Sequence, residues 1–144
     1  MTKQEFIKNQ CETWKKADKQ VIEYIANVLY HQGERGKDVI RKLYREGYCY
    51  YFALMIKEAF KRGTICYAYY EGHIVWLDGT DENSDLAYDI DGVYKNFEHL
   101  IPIEKIGIGI NDFMHIPGVY SGMEDNEIIS LLEKCVEEIE QKAS

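Results

Sequence analysis

The chain has 144 residues, enough for one domain with a buried core. Its 46% hydrophobic and 29% charged residues exclude a disordered chain. A net charge of -8, with no basic run to offset it, repels phosphate backbones and argues against nucleic acid as a partner.

In chain order, a first helix is expected from Thr2, which has capping-box spacing with Glu5, to about His31. Ile7, Trp14, Val21, Ile25 and Val28 recur along it near the helical period. Gly33-Glu34-Arg35-Gly36 should end it, and a short helix covers roughly Lys37 to Arg45. Gly47 breaks the chain, and a third helix runs from about Cys49 to Lys61, stopping at Gly63. The pattern then turns β-branched and aromatic. Thr64 to Tyr70 and His73 to Asp78 flank Glu71-Gly72, a hairpin with a two-residue turn. Gly79 to Asp85 is a polar loop, and Leu86 to Ile90 reads as a third strand. Leu100-Ile101-Pro102-Ile103 fits a strand end followed by a turn or short helix, since proline cannot donate to a central ladder. Ser121 and Glu124 form a second capping box, opening a closing helix with Ile128, Leu132, Cys135 and Ile139 on its apolar stripe. The expected class is α+β: a single domain over residues 1–144, with N-terminal helices and a cysteine-opened helix packed on a small antiparallel sheet.

The N-terminus lacks the apolar core of a signal peptide, and no stretch is long enough to span a bilayer, so the cytoplasm is the expected compartment. Cys11, Cys49, Cys66 and Cys135 are widely spaced, and reduced thiols are expected there. Cys11, Cys66 and Cys135 read as small buried residues. A zinc site built from Cys49, Cys66, His73 and an Asp would lack paired-ligand spacing, so neither metal nor cofactor is expected. His31, His99 and His115 show no partner pattern.

The chemistry-bearing stretch is Gly47-Tyr48-Cys49-Tyr50-Tyr51-Phe52-Ala53. A thiol that opens a helix sits in the positive end of the helix dipole, which favours the reactive thiolate. His73 and the acids after it fall on strands, where they could supply a base and its orienter. Each also has a plainer reading: a core thiol, a structural histidine, and turn residues at Asp89 and Asp91 before Gly92. Nine of the twelve tyrosines lie from Tyr44 to Tyr94. They could line a groove for a peptide or simply pack a sheet against a helix.

As an ordered set, Gly47-x-Cys49-x-x-x-Ala53, His73-Ile74-Val75-Trp76 and Tyr88-Asp89 resemble the transglutaminase-like branch of the papain-like fold. The matched region, Gly47 to Gly92, is roughly a third of the chain, and the short Cys49–His73 interval makes it a stripped-down version. The resemblance implies Cys49 as nucleophile, His73 as proton shuttle and Asp89 as orienter, acting on an amide or thioester of a protein or peptide. Asp78 and Asp91 lie near enough in sequence to compete with Asp89, which matches the family position. Tyr48, Tyr50 and Trp76 are the expected substrate contacts. The Cys49 amide would face an oxyanion, with Tyr44 or Tyr48 as the second donor. The chain is also loosely similar to small phage proteins with a G-Y-C-Y-Y-F-A-like segment. That likeness supports the alternative: a catalytically silent binding protein, such as a phage-type inhibitor of a host factor.

Overall fold

The computed structural model describes residues 1–45, 48–68, 71–95 and 100–106. The expected closing helix from Ser121 lies outside them, as do Gly47, Tyr69, Tyr70, His99, His115 and Cys135.

Helix α1, Lys3–Thr13, starts as the capping box predicts, with the Glu5 amide donating to Thr2 Oγ1 at 3.1 Å. The single helix expected to reach His31 is corrected to two, because α2 begins afresh at Lys19–Leu29. The break has a local cause. Ala17 N–H bonds back to Trp14 O, and the Asp18 carboxylate then caps α2 by accepting the Gln20 amide at 2.9 Å. Helix α3, Gly33–Arg45, also starts earlier than expected: Gly33 takes a positive φ of 79° and opens the helix instead of ending the previous one. Helix α4, Cys49–Phe60, begins at the cysteine as predicted and ends at Lys61 in the left-handed region.

The strands are β1 (Thr64–Ala68), β2 (His73–Leu77), β3 (Ala87–Asp89), β4 (Gly92–Val93) and β5 (Leu100–Pro102). They form one antiparallel sheet in the order β4-β3-β2-β1-β5, and a short α5, Ile103–Ile106, follows. The predicted hairpin is β1–β2, paired from Thr64↔Leu77 to Ala68↔His73. Proline sits where its missing donor is tolerated, at the end of the edge strand β5. The architecture is α+β, with the N-terminal helices packed on a small antiparallel sheet.

Strand alternation sorts the side chains into two layers. Ile65, Ile74, Trp76 and Tyr88 join Val21, Ile22, Ile25, Phe52 and Ile56 in the core beneath the helices. Cys66, Ala68, Val75, Leu77, Ala87, Tyr94 and Leu100 form a second buried cluster. Both layers are buried, which explains why β1 and β2 read as near-continuous apolar runs.

Trp76 fixes how α4 meets the sheet. Its indole is fully buried, stacks on Phe60 at 5.9 Å and donates from Nε1 to Arg62 O at 3.0 Å. The chain clears the ring only because residue 63 is glycine: at φ 92°, a Cβ there would stand 2.6 Å from Leu77 O and inside the indole. Gly63→Ala is therefore expected to cost about 2–4 kcal/mol, combining left-handed backbone strain with overpacking, read as a lower urea midpoint at unchanged slope.

Candidate active site

Cys49 is the first residue of α4, and the N-cap residue Tyr48 makes no side-chain capping bond. The positive end of the helix dipole lies at the first amides of α4. Cys49 as a whole is 7% exposed, a buried residue.

His73 opens β2, and Asp89 closes β3. The pairing Trp76↔Tyr88, continued by one residue, sets Asp89 across from Val75 and thus two residues from His73. Side chains in that relation leave the same face and can meet diagonally. They do meet: His73 Nε2 lies 3.0 Å from Asp89 Oδ2. Cys49 stands near enough to the same imidazole to help raise its pKa. The Tyr94 ring packs on it as well, with centroids 5.8 Å apart. The structure thus brings together the three residues that the sequence singled out.

Asp89 is 8% exposed and is the one buried charged residue among the described residues. Its other oxygen, Oδ1, accepts the Asp91 amide at 2.8 Å. Burial disfavours a charged imidazole at His73, but the Asp89 hydrogen bond and the adjacent Cys49 outweigh it. The net effect pushes the His73 pKa up from its ordinary 6.5 to about 10. At neutral pH the ring is an imidazolium held between a carboxylate and a sulfur.

The competing acids have other partners. Asp78 binds Arg62 through both oxygens, at 2.6 and 3.0 Å. Asp91 binds Arg41 at 3.0 Å and the Arg45 fork at 2.5 and 2.7 Å. The choice that the sequence left open between Asp89 and Asp91 is thereby made by contact: Asp89 meets the imidazole and Asp91 meets arginine.

Of the expected substrate contacts, Trp76 is corrected to a core residue, since its ring is fully enclosed and its N–H is spent on Arg62 O. Tyr48 is also buried, stacked on Tyr51 at 5.7 Å, so neither ring offers surface to a substrate. Tyr50, on the first turn of α4, is partly exposed. As an oxyanion donor Tyr44 is corrected too: it is buried, and its hydroxyl donates to Met55 Sδ at 3.6 Å. Cys66 sits in the second cluster, where burial, assisted by Glu82, pushes its thiol up to about 11, an inert state at neutral pH. Among the described residues no group of three or more His, Cys, Asp or Glu stands ready to hold a metal ion.

Sequence reasoning missed Tyr94, Gln10, Arg41 and Arg45. Gln10 of α1 holds the turn after Asp89 from both sides. Its Nε2 donates to Asp91 O at 3.1 Å, and its Oε1 accepts the Val93 amide at 3.2 Å. A Cβ on Gly92, at φ 102°, would stand 2.5 Å from that side chain. The one trace of this in the sequence is a pair of arginines four apart on the helix before Cys49, of which Arg41 also pairs locally with Asp38.

A family model described as Phage YunG-like protein matches residues 17–132. No curated protein and no solved structure matches the chain. Among the described residues, no helix is long and apolar enough to cross a membrane.

The raised His73 pKa carries a stability signature. The folded value lies above the unfolded one, so the contribution is complete below about pH 6.5 and is lost as pH rises through about 10. Urea midpoints should fall across that window in the wild type, and His73→Gln should lack this part of the decline. An equal decline in both proteins would assign it to other groups.

Proposed function

The chain belongs to the Phage YunG-like family, and we propose that it is a cysteine-nucleophile hydrolase or acyltransferase. It acts on an amide or thioester bond of a protein or peptide through Cys49, His73 and Asp89. One observation carries this reading: the only buried carboxylate among the described residues is spent on an imidazole that lies near a helix-opening thiol. A structural histidine has no need of a sulfur on its other side, and a core thiol has no need of an imidazolium.

The roles follow from the contacts. Asp89 on Nε2 fixes the His73 ring and leaves Nδ1 for the Cys49 sulfur, which reacts as a thiolate. The sulfur attacks the carbonyl carbon; a C–S bond forms, and the C=O electron pair moves onto oxygen. The amides at the start of α4, including that of Cys49, receive this oxyanion. As the tetrahedral species collapses, the leaving nitrogen or sulfur takes the His73 proton and departs, leaving a thioester on Cys49. Water or an acceptor amine then attacks the thioester and returns a proton to His73. Tyr50, partly exposed beside the thiol, is the aromatic contact offered to the substrate.

Alkylation tests the reading without knowledge of the substrate. With peptide mapping to separate Cys49 from the partly exposed Cys11, iodoacetamide at about pH 6 should modify Cys49 at least about tenfold faster than free cysteine. His73→Ala should abolish that excess, and Asp89→Asn should reduce it about tenfold. A Cys49 no faster than free cysteine would remove the catalytic reading. A Cys49→Ala protein with full biological effect would favour a binding role for the same scaffold.

A further inference from the structure

The turn between β3 and β4 is held far more firmly than a two-strand connection at a sheet edge requires. Besides the Gln10 clamp, the Asp91 carboxylate takes three hydrogen bonds from α3, one from Arg41 and two from Arg45. Fork geometry of this kind fixes direction as well as distance. The two ends of the contact matter. Arg45 is the last residue of α3 and stands four residues before Cys49. Asp91 stands two residues after Asp89, and its amide donates to Asp89 Oδ1 at 2.8 Å. A continuous chain therefore runs from the helix leading into the thiol, through Asp91, to the carboxylate that orients His73.

We propose that Asp91 is a positioning residue: gripped by Arg41 and Arg45, it staples the turn carrying Asp89 to α3, the helix that precedes Cys49 in the chain, and so sets the alignment of His73. This rests on the catalytic reading only for its consequence in rate; the alignment itself is a property of the fold. Misplacement by an ångström at such a site costs up to about a hundredfold in rate, so a partly exposed ion pair has leverage beyond its own small stability. The groups facing the imidazole are Asp89 from β3, Cys49 from α4 and Tyr94 from beyond β4. The staple acts on the first of these directly.

The experiment is NMR titration of the His73 ring in the full chain, run beside Cys49 alkylation rates and thermal midpoints. Asp91→Asn keeps the side-chain size and the backbone amide while removing the charge. Arg45→Met leaves Arg41 in place and serves if the first variant does not fold. Both should move the His73 titration to lower pH by about one unit and slow alkylation about tenfold, with Arg45→Lys in between because it restores charge without the fork. A titration unchanged in both variants overturns the proposal even if the thermal midpoints fall, since a purely structural ion pair moves stability alone. Ordinary Cys49 reactivity in the wild type would sink the catalytic reading separately, and the ring titration would still decide the staple.

Discussion

Folding a carboxylate into an apolar interior is costly unless its charge is met in place. Asp89 is met on both oxygens, by the His73 ring on one and by the Asp91 amide on the other. Much of the structure around it follows from keeping those two partners there. The imidazole must lie at the start of β2, the turn after β3 must hold the amide inward, and the sulfur of Cys49 must share the space that remains. The same constraint explains the raised His73 pKa, because the Asp89 hydrogen bond and the nearby sulfur outweigh the penalty of burial.

Two joints deliver this arrangement, both between elements distant in sequence. At one, Trp76 fills the corner between α4 and the sheet and ties itself to the backbone of Arg62, with Gly63 giving way to the indole. That contact sets the position of α4 and hence of its first residue. At the other, Gln10 and the arginines of α3 grip the turn after Asp89. Cys49 and Asp89 thus stand on separate elements, each anchored by contacts with residues other than His73, which is how rigid sites are generally supported.

Legibility in the sequence was uneven for physical reasons. The helix opening at Cys49 and the β1–β2 hairpin were visible because glycine punctuation and β-branched, aromatic runs are local signals. The break after Trp14 was not, because apolar residues continue at helical spacing through it. Asp18 had to be recognised as a cap, a role it earns partly through tertiary contacts: its amide donates to the Tyr88 hydroxyl, and its carboxylate meets Arg62. Trp76 looked like a substrate contact because tryptophan beside a strand histidine fits a site as well as a core; burial decided for the core.

The sequence by itself determined the α+β class, the cysteine at a helix start, the order Cys49, His73, Asp89, and a short list of rival acids. These are matters of residue type and spacing, which neighbours along the chain express without help from the fold. Only the tertiary structure decided which acid meets the imidazole. Asp89 and Asp91 alternate in one turn with the same charge and the same strand spacing, so nothing local separates them. The difference lies in what the rest of the chain brings alongside: a histidine from β2 to one, and two arginines from α3 to the other.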